Sequence, residues 1–222
     1  MKRFIVIGLG HFGSWAAQSL YAQGHEVVAV EKRGDVVDRY AARVSRGVVG
    51  DATDRELLEE VGAGDADAAV ISTGEDLATS ILATIALKDL GVEDIYVKVT
   101  SREAARAVDA FGVREAIFPE REVADRLAHR IPSQTVLDYI PLTDGHSLQE
   151  IAIPEKWLGK SLRELSLPQE HGIQVVAIYD VLTETMSVVP DPDEPLKDSD
   201  IAIVAGRDEK VRAMLEETRS ES

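Results

Sequence analysis

The chain contains no cysteine. A disulfide framework, a thiolate metal site and a cysteine nucleophile are therefore excluded. A membrane-length apolar run is also missing. Lys2-Arg3 opens a stretch, Phe4–His25, that is free of Asp, Glu, Lys and Arg, as a signal peptide would be. Only Phe4–Leu9 is continuously apolar before Gly10-His11 interrupt it, and Ser14, Gln18, Ser19 and Gln23 recur at the spacing of an exposed helix face. A span needs about 20 predominantly apolar residues, so neither a signal nor a membrane segment is expected. Basic residues are scarce: 24 Lys and Arg stand against 40 Asp and Glu, a net charge of −16. Most of that excess lies beyond residue 132. It repels phosphate backbones and anionic lipid surfaces, which argues against nucleic-acid binding. The five histidines (His11, His25, His129, His146 and His171) have no metal-ligand spacing. Tyr96-Val97-Lys98 does not make the Tyr-x-x-x-Lys of a short-chain dehydrogenase, and no acid, base and nucleophile cluster elsewhere.

What is present is a rhythm. Apolar runs of strand length alternate with helical patterns from residue 3 to residue 130. Phe4–Gly8 reads as a strand, and His11–Gln23 as a helix with Phe12, Trp15, Ala16 and Leu20 inward. Glu26–Glu31, Arg46–Val49, Ala68–Ser72, Asp94–Val99 and Glu115–Phe118 come next as strands, separated by short helices. Strand–helix alternation with short connections predicts an α/β fold, a doubly wound parallel sheet covered on both faces. The rhythm breaks at Ile131-Pro132-Ser133. Beyond it strands dominate, helices are few, and Pro190–Pro195 reads as an exposed, stiff loop. The expected organisation is a Rossmann-type nucleotide-binding domain over 1–132 and a smaller α+β domain over 134–219. No internal repeat is visible.

Gly8-Leu9-Gly10-His11-Phe12-Gly13 is a GxGxxG set between the first strand and the first helix. The first glycine permits the tight turn, the second lets a pyrophosphate approach the backbone, and the third lets helix and strand pack closely. The helix N-terminus then offers unpaired N–H groups to phosphates. The second strand ends about 20 residues on at Glu31, where a carboxylate accepts from ribose hydroxyls and repels a 2′-phosphate, disfavouring NADP. Asp51, in Gly50-Asp51-Ala52-Thr53 at the end of the third strand, either borders an adenine ring or caps the next helix. A Rossmann domain without a catalytic partner points to a nucleotide sensor. The competing possibilities are an NAD-dependent oxidoreductase with an unrecognised catalytic domain and a stand-alone ligand sensor.

Phe4–Gly13, His25–Glu31, Gly50-Asp51-Ala52-Thr53, Tyr96-Val97-Lys98 and Ile117-Phe118-Pro119-Glu120 resemble, in order and spacing, the Trk/Ktr-type potassium uptake regulatory subunits. These are also called regulator-of-potassium-conductance (RCK) proteins. Gly159-Lys160-Ser161-Leu162, His171-Gly172-Ile173 and Asp200–Gly206 resemble their C-terminal, ligand-sensing and dimerisation domain. The resemblance implies a non-enzymatic cytoplasmic regulator. Homodimers would assemble into an octameric ring beneath a membrane potassium transporter, gated by ATP, ADP or NAD(H). It implies that Gly8, Gly10 and Gly13 surround the phosphates, that Glu31 holds the ribose and that Lys98 lies beside the nucleotide; His11, Phe12, Asp51 and Ala52 complete the expected nucleotide-binding set. Glu120 would help bind Mg²⁺ or Ca²⁺ at the dimer interface. For Lys98 the alternative is a structural ion pair at a strand end, and for Glu120 an acid in the first turn of its helix. Two positions depart from the pattern. His11 stands where an arginine often reaches the γ-phosphate, and Pro168 stands where some relatives carry an arginine for cyclic di-AMP, which argues against control by that ligand.

Overall fold

The computed structural model describes residues 1–218. Arg219, the expected last residue of the C-terminal helix and domain, lies outside the described residues. The chain divides into two compact units, Met1–Glu120 and Arg121 onward. The first unit is a parallel six-stranded sheet in the order β3-β2-β1-β4-β5-β6, with β1 Arg3–Ile7, β2 Glu26–Glu31, β3 Arg46–Val49, β4 Ala68–Ile71, β5 Ile95–Lys98 and β6 Glu115–Ile117. The strands are β-branched runs buried on both faces, as a covered parallel sheet requires: Ile5, Val6, Val27 and Ala29 are all fully buried. Helices α1 (His11–Ala22) and α2 (Gly34–Tyr40) belong to a core around Val6, Val27 and Val36. Helices α3 (Arg55–Glu60), α4 (Leu77–Asp89) and α5 (Arg102–Asp109) belong to a larger core around Ile5, Ile71, Leu87, Ile95 and Val108.

One expectation fails. Trp15 is not inward; it is 71% exposed, and Gly13, Ser14 and Ala17 are the buried residues of α1. Gly13 is set against the glycine turn, and with about 3.6 residues per turn position 15 falls on the opposite side of α1, while Leu20 packs against the core. Leu82 and Ile85 on α4, and Phe111 in the turn after α5, are likewise exposed, whereas Val108 of α5 is fully buried.

The second unit takes α6 (Pro119–Arg130) from Arg121 on. The sequence break at residues 131–133 therefore falls at the end of a helix that packs with the second unit. Arg126 shows why: its Nε donates to Tyr139 O at 3.1 Å and its guanidinium meets Asp138 at 2.8 Å. The rest of the unit is built on an antiparallel sheet in the order β10-β9-β11-β8-β7, from β7 (Val136–Thr143), β8 (His146–Ala152), β9 (Gln174–Asp180), β10 (Thr185–Ser187) and β11 (Asp200–Arg207). Short helices α7 (Leu162–Leu165) and α8 (Leu167–Glu170) connect β8 to β9, and α9 (Asp208–Thr218) closes the described fold. Ile151, Trp157, Ile173, Val204 and Met214 form its core.

A polar network ties this sheet to α9. Asp208 accepts from Tyr139 Oη at 3.1 Å and from Ser147 Oγ at 2.7 Å, and Ser147 Oγ accepts from Gln149 at 2.9 Å. Burial pushes the Tyr139 hydroxyl above its ordinary pKa, and the Asp208 carboxylate adds to that. Asp208→Ala should therefore lower stability by about 2–3 kcal/mol, because it leaves two buried hydroxyls without their acceptor. Urea denaturation measures this, and an unchanged midpoint would contradict the assignment.

Candidate functional site

Four strands end at one edge of the first sheet, and their hydrogen bonding continues past the strand ends. Gly8 N–H donates to Val30 O at 2.8 Å, Gly50 N–H to Glu31 O at 3.0 Å, and Ser72 N–H to Ile7 O at 2.7 Å. The strand order reverses between β1 and β4, which leaves a crevice of about 380 Å³ over the glycine turn.

The three glycines divide the work as the motif predicts. Gly8 has φ +85°, and a Cβ there would lie 2.3 Å from Ser72 O. At Gly13 a Cβ would lie 1.9 Å from Gly8 O, so α1 rests directly on the turn. Around Gly10 a Cβ would meet nothing within 4 Å, leaving the backbone open to an approaching group. Helices α3, α4 and α5 are capped by the side chains of Asp54, Asp76 and Ser101. Helix α1 has no side-chain cap at Gly10 and no acid in its first turn. Its first N–H groups and dipole are therefore unmatched by a side chain, as an anion site requires.

Glu31 sits opposite. Its Oε2 accepts from Leu9 N–H at 2.9 Å and its Oε1 from Arg33 N–H at 3.1 Å. The carboxylate is thus fixed by the glycine turn itself, with lone pairs left for ligand hydroxyls. Asp54, not Asp51, caps α3, accepting from Glu56 N–H at 2.9 Å. Asp51 accepts from Thr53 N–H and Oγ1 at 3.0 and 2.8 Å and pairs with Lys32.

Of the expected residues, Gly8, Gly10, Glu31 and Ala52 line the crevice. His11 begins α1, exposed, and Phe12 is half-buried beside it. Lys98 ends β5 and pairs with Glu120 Oε1 at 2.7 Å. The Lys98 ammonium holds the Glu120 carboxyl below its ordinary 4.5. With the folded value depressed, this pair is intact at neutral pH and is lost only as pH falls below that range. Among the described residues no three His, Asp or Glu are grouped to hold a metal. Sequence reasoning missed Lys32, Ser72, Thr73 and Asp76, which also line the crevice, and no histidine or tyrosine does. Lys32 was legible as the neighbour of Glu31, whereas Ser72 and Thr73 depend on which strand lies next to β1.

The glycine turn at a reversal of strand order defines a Rossmann-type domain of the dinucleotide-binding class. Residues 4–119 match the TrkA-N domain and residues 145–219 the TrkA-C domain. The chain is 38% identical to the Ktr system potassium uptake protein C of Bacillus subtilis, covering 92% of each chain. It is 34% identical to the Ktr system potassium uptake protein A of Vibrio alginolyticus, over 95% of this chain and 94% of that one. The chain belongs to the TrkA-N/TrkA-C family, the family of the Ktr and Trk system proteins. A structure of the GsuK channel bound to NAD shares its fold, with a TM-score of 0.68 at 14% identity, over 99% of this chain and 40% of that one.

Two substitutions probe the site. Glu31→Ala should weaken adenine-nucleotide binding by about tenfold or more, from the loss of charge-assisted hydrogen bonds. Calorimetry on the folded variant reads this, and wild-type affinity would refute the ribose assignment. Gly13→Ala should destabilise the first unit by about 1–3 kcal/mol, since α1 must lift off the turn. An unshifted unfolding transition would mean that this contact is not maintained in solution.

Proposed function

We propose that this chain is the nucleotide-sensing regulatory subunit of a potassium uptake system. An adenine nucleotide, ATP, ADP or NAD(H), binds over the glycine turn and controls ion flux through a membrane partner of the Trk/Ktr type. The observation that carries this is the fixed Glu31 carboxylate opposite a side-chain-uncapped α1. It provides a ribose acceptor and a phosphate seat on the two sides of one crevice.

Gly8, Gly10, His11, Phe12 and Gly13 surround the phosphates, Glu31 takes the ribose, and Asp51, Ala52 and Lys98 lie along the nucleotide. A Mg²⁺ or Ca²⁺ at Glu120 would draw its remaining ligands from the nucleotide or from a second copy. No helix among the described residues is long and apolar enough to cross a membrane. The subunit works at the cytoplasmic face, held there by its partner. Exposed Leu82, Ile85 and Phe111 supply apolar surface for assembly into a homodimer and an octameric ring. Nucleotide binding belongs to the unit Met1–Glu120 and sensing and dimerisation to the unit from Arg121 onward, so α6 goes with the second unit and not with the 1–132 domain expected from the sequence.

Small-angle and light scattering with and without ATP or ADP test this directly. The expected result is a homo-oligomer whose profile changes with nucleotide; a monomer with the same profile in every nucleotide would sink the proposal. In the same assay His11→Arg should tighten ATP more than ADP, because it adds a fixed positive charge. Equal tightening would remove position 11 from the γ-phosphate.

A further inference from the structure

Lys32 comes directly after Glu31 and lines the same crevice. Its ammonium lies 3.1 Å from Asp51 Oδ2, so the side chain bridges the end of β2 to the turn after β3. Asp51 is an anchored partner, because Thr53 occupies its other oxygen with two donors at 3.0 and 2.8 Å. Asp76, on the β4 side of the crevice, is pinned as firmly by Thr79, at 2.9 and 2.6 Å. Both carboxyls lie below their ordinary values, Asp51 through Thr53 first and Asp76 through Thr79 first, and Lys32 lowers each further. One flexible cation therefore pairs with a carboxylate that Thr53 holds in place. The neighbouring cation, Arg33, leans instead towards Asp35 at 3.8 Å.

With phosphates at the glycine turn and ribose at Glu31, the base of a bound nucleotide lies further out, along the ends of β2 and β3. Asp51 Oδ2 is held by the Lys32 ammonium, so any contact of Asp51 with the base is made with Lys32 in place. We propose that Lys32 roofs the base slot, its butyl stem laid over the purine face and its ammonium latched to Asp51. Lysine suits this role because its apolar stem covers apolar surface while its charged head stays partnered and wet. This inference rests on the nucleotide-sensing assignment above and adds the group that sets how long the nucleotide stays.

Displacement of a fluorescent ADP analogue from the full chain, monitored by stopped flow, tests the roof. Lys32→Ala should release the analogue roughly tenfold faster, the effect falling on dissociation more than on association. Lys32→Arg, which keeps the charge and most of the apolar stem, should stay within about threefold of wild type. Asp51→Ala, which frees the latch, should also speed release, and Lys32→Ala with Asp51→Ala should release little faster than Lys32→Ala alone, as coupled partners do. The side chains are half exposed, so folding should survive, which thermal unfolding checks. Unchanged release from Lys32→Ala, or single effects that simply multiply in the double variant, would overturn the roof alone. No binding of the analogue by the wild-type protein would overturn the roof and the nucleotide assignment together.

Discussion

The contact between α1 and the glycine turn is the constraint on which the site depends. Because a Cβ at Gly13 would lie 1.9 Å from Gly8 O, this contact exists only with glycine at that position. It brings the start of α1 against the ends of β1 and β4 and fixes the rotation of the helix. With Gly13 turned inward, Trp15, two residues on, faces outward. The same contact also sets Leu9 N–H where Glu31 can accept from it, so the proposed phosphate seat and ribose acceptor are fixed by one piece of backbone.

A protein of net charge −16 that binds a polyphosphate needs an electrostatic explanation. At physiological ionic strength the Debye length is about 8 Å, so distant acids are largely screened and the nearest groups decide. Those groups are the side-chain-uncapped α1 terminus, Lys32 and Arg33. The carboxylates in and beside the crevice are each engaged: Glu31 by backbone N–H groups, Asp51 by Thr53 and Lys32, and Asp76 by Thr79. Engagement does not neutralise them, but it gives each charge a partner within the protein.

Much of this was legible in the sequence, for a physical reason. Parallel strands buried on both faces read as continuous β-branched runs, and β1, β2 and β4 fall where those runs predict. The GxGxxG and Glu31 are local motifs whose spacing fixes their geometry. Pairings between distant segments were harder to read. That Asp51 meets Lys32 is evident only once β2 and β3 are neighbours. The alternatives for Lys98 could be joined by its pairing with Glu120 only when the start of α6 was placed beside β5. The inward expectation for Trp15 failed because hydrophobicity was weighed without the rotation of α1 that the Gly13 contact fixes. The break at residues 131–133 marked a change of element type, whereas compactness depends on contacts such as Arg126 with Asp138.

The central claim is that this crevice selects an adenine nucleotide bearing a free 2′-hydroxyl. Isothermal titration of the wild-type protein with NAD, NADP and ADP measures it most directly. The account predicts saturable binding of one ADP or NAD per chain, with NADP markedly weaker because Glu31 repels its 2′-phosphate. Absence of binding, or NADP bound as tightly as NAD, would contradict it.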